Sequence, residues 1–127
     1  MDKDFFEKHS DHFLEMAFSS ERREKVLDPD GYGKRIRECG DTVEIFLSLS
    51  GETLEFVSYQ VDGCMYTNAC AATLARLAEG KRPEEALEIE AEAIVSYLET
   101  LPEEETHCAE HVMKAFREAV HNLKKKN

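Results

Sequence analysis

The chain has 127 residues, of which 42% are hydrophobic and 34% charged, a composition typical of a globular protein with its own core. Its 27 acidic residues outnumber 16 basic ones, and the net charge of −11 argues against a nucleic-acid surface and against binding to anionic membranes. The sequence has no apolar run near the roughly 20 residues that span a bilayer, and residues 1–4 are unlike a signal peptide. We therefore expect one cytoplasmic domain over residues 1–127.

The amino-terminal part is predicted to be helical and then irregular. Apolar side chains recur at helical spacing through the first ~20 residues, and a second short helix is expected over residues 21–27. His9 and His12 lie on the first helix and are interpreted as surface or boundary residues, not as ligands. Residues 28–33 are rich in Asp, Gly and Pro and predict a turn. The basic segment Lys34-Arg35-Ile36-Arg37 is interpreted as a solvated turn or, alternatively, as a docking patch beside a functional site.

A β-hairpin is predicted next. Apolar and polar side chains alternate over residues 42–49, which is the pattern of a strand with one buried face. Residues 50–53 suit a hairpin connection to a second β-rich run over residues 54–61. Because side chains alternate along a strand, extending the first strand backwards places Cys39 and Asp41 on its apolar face. The thiol and the carboxylate are therefore predicted to point toward whatever covers the sheet.

The second half of the chain is predicted to be helical. A helix is expected over residues 65–79, a short one opened by Pro83 over residues 84–89, and another near residues 94–101. The last helix is the clearest, because one apolar stripe runs through residues 109–123. Three lysines follow it, and their positive charges are favourable beside the negative, carboxyl-terminal end of the helix dipole.

Soft metal ligands occur in three clusters far apart in the chain: Cys39-Gly40-Asp41, Gly63-Cys64 and His107-Cys108. Three thiols with one carboxylate and one imidazole suit zinc or an iron–sulfur cluster far better than magnesium or calcium. These cysteines form no Cys-x-x-Cys pair, which argues against a zinc ribbon or a redox dithiol. A site can therefore form only if the fold gathers the clusters. In a reducing cytosol such cysteines more often bind metal or do chemistry than form disulfides.

Two of the cysteines lie where predicted helices begin. Cys64 directly precedes one helix, and Cys108 lies in the first turn of another. Because helix N-termini favour negative charge, we expect a lowered pKa and a reactive thiol at both positions. Asp41 and His107 could complete a four-ligand site with them. Cys70 lies within an Ala-rich helix and is interpreted as core packing.

The segment from His107 to His111 also matches His-x-x-Glu-His, the pattern of inverted zinc peptidases. We discount this interpretation, because the chain is small for such a peptidase and Cys108 would compete for the zinc. His111 is interpreted as a residue at the solvent edge or behind the ligands, and His121 as a surface residue. A thiol-dependent hydrolase with Cys108 as nucleophile and His111 as base is a further alternative.

Six short motifs follow one another along the chain: Cys39-Gly40-Asp41-Thr42, Val61-Asp62-Gly63-Cys64, Gly80-Lys81, Glu84-Glu85-Ala86-Leu87, Leu101-Pro102 and His107-Cys108. In this order they resemble the U-type iron–sulfur cluster assembly scaffolds, the IscU and NifU amino-terminal family. The resemblance covers most of the chain. It implies an α+β fold with a small antiparallel sheet packed against several helices and a site at one tip, as in SufE-like sulfur acceptors.

The resemblance also implies a function. Such scaffolds are not enzymes: they accept sulfur as persulfide from a cysteine desulfurase, bind iron, build a [2Fe–2S] cluster and pass it to apo-iron–sulfur proteins. By position, Cys39, Cys64 and Cys108 match the three scaffold cysteines, and Cys108 the favoured persulfide acceptor. Asp41 matches the aspartate linked to cluster lability, and His107 the histidine beside the third cysteine.

The chain departs from the family pattern in two places. After Leu-Pro, many scaffolds carry Pro-Val-Lys, which a dedicated Hsp70-type chaperone recognises, whereas this chain has Glu103, Glu104 and Glu105. The three acids argue against that chaperone as a partner. The usual Asn-Pro-Arg-Asn signature is replaced near its place by Asp-Pro-Asp-Gly, which bears on how a desulfurase docks.

A zinc-dependent sulfur acceptor that never holds a cluster is the alternative function, since the same ligands would bind zinc well. Some sulfur-acceptor relatives carry an insertion between the second and third cysteines. No such insertion stands out between Cys64 and Cys108, which favours the scaffold. Zinc could nevertheless occupy the thiolates of the purified protein.

Overall fold

The computed structural model describes residues 9–20, 22–37 and 40–123. In chain order these form helix α1 (Asp11–Ala17), strands β1 (Gly31–Ile36), β2 (Thr42–Ser50) and β3 (Thr53–Asp62), helices α2 (Met65–Ala78), α3 (Pro83–Ala86) and α4 (Ala91–Leu98), a 3₁₀ turn (Glu103–Glu105) and helix α5 (His107–His121). The predicted α+β class, a small antiparallel sheet packed against helices, is confirmed. In the part of the chain that is described, no helix is both long and apolar enough to cross a bilayer.

The sheet has the order β1-β2-β3, and both strand pairs are antiparallel. The predicted hairpin between β2 and β3 is confirmed: Ser50 pairs with Thr53, and Gly51 turns the chain with a φ of 61°. The predicted apolar face of β2 is buried, since Val43 and Ile45 are both fully inaccessible to solvent. This face carries the core of the protein.

Strand β1 corrects the second half of the predicted turn over residues 28–33, whereas residues 28–30 bend outside any helix or strand. Gly31 and Gly33 are buried in β1 because α5 crosses directly over them: a Cβ added to Gly33 would lie 2.1 Å from the carbonyl oxygen of Ala115. These glycines therefore allow the backbone of α5 to pack directly against β1, and they do not form a turn. The basic residues that follow, Lys34 and Arg35, are exposed on the same strand and not in a solvated turn.

The amino-terminal prediction is confirmed in part. Helix α1 begins after Ser10, whose side chain accepts a hydrogen bond from the Phe13 amide at 3.0 Å. Residues 1–8 of the predicted helix lie outside the described residues. The second helix, predicted over residues 21–27, is wrong in its described part. Arg22 instead accepts a hydrogen bond from the Tyr59 amide at 2.9 Å, so this segment runs beside β3.

The carboxyl-terminal helices agree more closely with the predictions. Helix α2 ends before Gly80, which has a φ of 85°. Helix α3 is shorter than predicted and ends at Ala86, whereas α5 follows the predicted apolar stripe. The three terminal lysines lie outside the described residues.

Two helices cover the sheet and place the candidate site. Helix α2 packs on β3, α5 packs on β1 and β2, and the two helices contact each other. Cys70 on α2 is fully buried in this core, as predicted. Because Thr42 pairs with Asp62, the loop before β2 and the turn after β3 lie side by side at one end of the sheet. Helices α2 and α5 both begin at this end.

Candidate metal centre

The candidate ligand Asp41 lies against the turn that leads into α2. A Cβ added to Gly63 would lie 2.9 Å from both Cγ and Oδ1 of Asp41. A glycine at this position therefore leaves room for the carboxylate beside Cys64. The pairing of β2 with β3 brings these residues together, although they are more than 20 residues apart in sequence.

The thiols of Cys64 and Cys108 are brought together by the starts of two helices. Cys64 immediately precedes α2, and Cys108 lies in the first turn of α5. The hydroxyl of Thr67 lies between them, 3.5 Å from the sulfur of Cys64, and donates a hydrogen bond of 3.5 Å to the sulfur of Cys108. Cys64 is exposed, whereas Cys108 is fully buried. The pair thus has one thiol open to partners and one protected thiol.

A third ligand, Glu105, joins these two thiols. Ligand atoms of Cys64, Glu105 and Cys108 all lie within 4.8 Å of one another, and the Cys108 thiol donates a hydrogen bond to Glu105 Oε2 at 3.5 Å. Over residues 9–20, 22–37 and 40–123, this is the one group of three such side chains that could hold a metal ion. Glu105 was not among the predicted ligands, because the three acids were interpreted only as a loss of the chaperone motif. A carboxylate three residues before a cysteine at a helix start was the available signal.

The other candidate ligands lie at the edge of this group or outside the described residues. His107 Nε2 is 3.9 Å from Glu105 Oε2, and its side chain is 46% exposed. Asp41 Oδ2 is 3.5 Å from Arg37 Nη1. Cys39 lies outside the described residues, so its placement beside Asp41 stays a prediction.

Arg37, from the basic segment that was predicted to form either a solvated turn or a patch beside the site, lies at the site. Its amide donates to the Asp41 carbonyl oxygen at 2.9 Å, and its own carbonyl accepts from the Gly40 amide at 2.8 Å, which closes the loop between β1 and β2. Gly40 has a φ of 95°, a conformation that favours glycine. Arg37 Nη1 thereby comes within 3.8 Å of the Cys108 sulfur. A positive charge therefore lies beside the buried thiol.

The comparison with protein families decides the identity of this domain. Residues 22–127 match the model of the NifU-like N-terminal domain. The chain belongs to this family. Two scaffold proteins for iron–sulfur cluster assembly from Archaeoglobus fulgidus, IscU 1 and IscU 2, are each 32% identical over 104 residues, which cover 81% of this chain and 68% of each relative. The iron–sulfur cluster assembly protein IscU of Plasmodium falciparum is 28% identical over 85% of this chain and 65% of its own length.

Solved structures share the fold of this NifU-like domain. A protein of Fervidobacterium islandicum assigned as an iron–sulfur scaffold for the SUF system superposes with a TM-score of 0.73 at 15% identity, over 90% of this chain and 97% of its own. The N-terminal part of a NifU-like protein from Brucella abortus gives a TM-score of 0.70 at 19% identity, over 93% and 95%. At these identities the likeness establishes the fold alone.

The ionisation of Cys108 in this NifU-like domain differs from the sequence prediction. The pKa of its thiol is raised to about 11, mainly by burial; the hydrogen bond from Thr67 opposes this rise, and the nearby Cys64 and Glu105 add to it. The expected lowering by the helix N-terminus is therefore outweighed, because desolvation of a charged sulfur can shift a pKa by several units. Cys108 is a neutral thiol until a cation or a partner removes its proton.

His111 is buried, which corrects its placement at the solvent edge. Only 7% of it is exposed, and burial together with the Arg37 guanidinium lowers its pKa, against a hydrogen bond to the Asp41 backbone that raises it. Its position beneath the Arg37–Asp41 loop fits the alternative prediction, a residue behind the ligands. In the described ranges neither His107 nor His111 belongs to the group of potential metal ligands, which gives the zinc-peptidase interpretation no support.

Proposed function

We propose that this NifU-like protein is a scaffold on which a [2Fe–2S] cluster is assembled from iron and sulfur and then released to apo-proteins. The observation that carries the proposal is the meeting of the Cys64 and Cys108 thiols at one tip, beside Asp41, in a chain of the NifU-like family. The scaffold assignment of the Archaeoglobus relatives supports it.

Five side chains are proposed to hold the iron that the scaffold receives as substrate. Thiolates come from Cys39, Cys64 and Cys108, and harder ligands from Asp41 and His107. A cluster held by thiolates alone tends to be retained, whereas a carboxylate or imidazole weakens one corner. A scaffold needs such a corner because it must release its product.

Sulfur delivery is proposed to start at Cys108. The Cys108 thiol gives up its proton as its sulfur attacks the outer sulfur of a persulfide on a cysteine desulfurase; the S–S bond of that persulfide breaks, and the desulfurase cysteine leaves and takes up a proton. The product is a persulfide on Cys108, and the exchange involves no net oxidation or reduction. Arg37, 3.8 Å from the Cys108 sulfur, supports this role because its charge stabilises an anionic sulfur.

A zinc-dependent sulfur acceptor is the second candidate function. It is favoured by one observation, the grouping of two thiols with the Glu105 carboxylate, since zinc binds sulfur and oxygen ligands in tetrahedral sites. In that case sulfur would pass through Cys108 without a cluster being formed.

The partners follow from either function. We propose a cysteine desulfurase as the sulfur donor and, for the scaffold, apo-iron–sulfur proteins as acceptors. The acidic turn Glu103–Glu105 argues against the dedicated Hsp70-type chaperone. That the protein is a single domain and acts in a reducing cytoplasm also stays a prediction.

Anaerobic reconstitution tests the proposal. Metal-free protein is mixed with ferrous iron, cysteine and a catalytic amount of cysteine desulfurase, and followed by visible absorption and by iron and sulfide analysis. We expect a sulfide-to-iron absorption band that transfers to an apo-ferredoxin. Cys64→Ser should lose the band, whereas Cys70→Ala, which changes a core thiol, should keep it. A persulfide on Cys108 without any cluster would replace the scaffold with the sulfur acceptor.

A further inference from the structure

The 3₁₀ turn Glu103–Glu105 directs one of its three carboxylates into the site. The turn is fixed by the Glu105 amide, which donates to the Pro102 carbonyl at 2.8 Å, and by the Thr106 hydroxyl, which donates to the Glu103 carbonyl at 2.9 Å. Glu103 and Glu104 are exposed, whereas the Glu105 side chain is only 27% exposed. Glu105 therefore differs from its two neighbours in position, although the three residues are chemically identical.

The distance between Glu105 and Cys108 matches that between two ligands of one ion. Ligands at about 2.0–2.3 Å from a tetrahedral ion lie roughly 3.3–3.8 Å from one another. Glu105 Oε2 and Cys108 Sγ are 3.5 Å apart, joined by the thiol proton, and Cys64 completes a triangle whose sides do not exceed 4.8 Å. An ion could therefore replace that proton with little movement of the two helix starts.

The charges at this position also favour a divalent cation. Two thiolates and one carboxylate would bring three formal negative charges, which favour a divalent cation, and the Arg37 guanidinium lies beside the Cys108 sulfur. The exposed Glu103 and Glu104 add negative potential at the entrance. Glu105 Oε2 forms a long ion pair of 3.9 Å with His107 Nε2, a weak contact that an incoming ion could displace.

We propose that Glu105, together with Cys64 and Cys108, is a direct ligand for a divalent first-row transition-metal ion. In the scaffold this ion is the incoming ferrous iron. The identity of the ion rests on the proposed function, whereas the ligand role of Glu105 does not. A mixed S₂O set suits Fe²⁺, Co²⁺ and Zn²⁺ and disfavours Ca²⁺ and Mg²⁺, which take oxygen ligands.

Anaerobic titration of the metal-free full chain with Co²⁺ tests this inference, because the visible absorption of Co²⁺ reports both affinity and ligand type. The variants are Glu105→Gln and, as a matched control that removes one charge from the same turn, Glu104→Gln. We expect Glu105→Gln to weaken Co²⁺ binding at least about tenfold, since even residues that only support a ligand contribute 10–100-fold. Its d–d bands should also shift, whereas Glu104→Gln should bind and absorb like the parent.

Two results would overturn the inference. One is a Glu105→Gln variant with the affinity and bands of the parent. The other is an equal loss of affinity in both variants with unchanged bands, which would show a diffuse effect of charge. If the parent binds Co²⁺ through Glu105 but builds no cluster in the reconstitution, the ligand role stands and the scaffold fails. If clusters form while Glu105→Gln behaves like the parent, the scaffold stands and the ligand role fails.

Discussion

At the scale of single residues, Gly63 controls where the Asp41 carboxylate lies. A methyl group at Gly63 would lie 2.9 Å from that carboxylate. This distance is shorter than Cβ contacts in real proteins, so the carboxylate would have to move. We predict that Gly63→Ala acts like Asp41→Ala: both lengthen the half-life of a reconstituted cluster about threefold or more, or ~0.7 kcal/mol in the barrier to loss. The loss of visible absorption with an excess of chelator measures this half-life.

The matched control for this prediction is Asp62→Ala. Asp62 is an exposed acid at the end of β3, beside the same turn, and its replacement should leave the half-life unchanged. Parent-like decay in Asp41→Ala would show that this carboxylate is not the labile corner. If the cluster decayed at the parent rate in Gly63→Ala alone, the Asp41 carboxylate would still bind the cluster despite the added methyl group.

Only part of the site could be predicted residue by residue. The positions of Cys64 and Cys108 followed from helix starts, which are local features of the sequence. The contacts of Arg37 and His111 depend on how a loop closes around the thiols, and no local pattern encodes that closure. Glu105 did carry a local signal, as a carboxylate three residues before Cys108 at a helix start, but the predictions did not use it. The ionisation of Cys108 was predicted wrongly, because its burial is a tertiary property that outweighs the local helix dipole.

At the scale of elements, the close approach of α5 to β1 depends on glycine. A Cβ at Gly33 would lie 2.1 Å from the Ala115 carbonyl oxygen and 2.6 Å from the Ala119 amide nitrogen, both backbone atoms that cannot rotate away. We predict that Gly33→Ala lowers the free energy of unfolding by about 1–3 kcal/mol, the usual cost of overpacking. Lys34→Ala, on the same strand but exposed, should change it by less than ~0.5 kcal/mol. Urea unfolding of the three proteins measures this, and an unchanged midpoint for Gly33→Ala would contradict the packing described.

The two wrong element predictions have a common physical cause. Residues 31–33 have the composition of a turn, yet they form a strand. A helix that is distant in sequence packs directly on Gly31 and Gly33, which is possible because these residues have no side chains. Residues 22–27 were predicted to be helical, yet Arg22 forms a salt bridge of 2.8 Å with Glu79 at the end of α2. Both outcomes are decided by partners more than 50 residues away, which periodicity within a short window cannot detect.

At the scale of the whole molecule, a bound ion would add direct bonds between elements that packing and long hydrogen bonds to sulfur already hold together. Cys64 precedes α2, Glu105 ends the 3₁₀ turn and Cys108 begins α5, so one ion would fix three segments at the same tip. Because the unfolded chain does not preserve this arrangement, binding energy adds to the stability of the folded state.

The thermal stability of the protein should therefore depend on zinc, a convenient redox-inert stand-in for iron. At a free zinc concentration of 100 Kd the gain is about 2.7 kcal/mol. For a chain of this length that gain raises Tm by ~10 °C, and a chelator should reverse it. The midpoint is measured by calorimetry on metal-free and zinc-loaded protein.

Two cysteine variants should respond in opposite ways. Cys64 is exposed, so Cys64→Ala should leave the Tm of the metal-free protein nearly unchanged but lose most of the zinc-dependent rise. Cys70 is fully buried, so Cys70→Ala should lower the metal-free Tm by leaving a small cavity, yet keep the rise. If instead Cys70→Ala lost the rise and Cys64→Ala kept it, zinc would be binding within the core and not at the tip. If the two variants change Tm and its zinc-dependent rise in opposite ways, Cys70 acts in the stabilising core and Cys64 acts in the metal-binding tip, although the two thiols are only six residues apart.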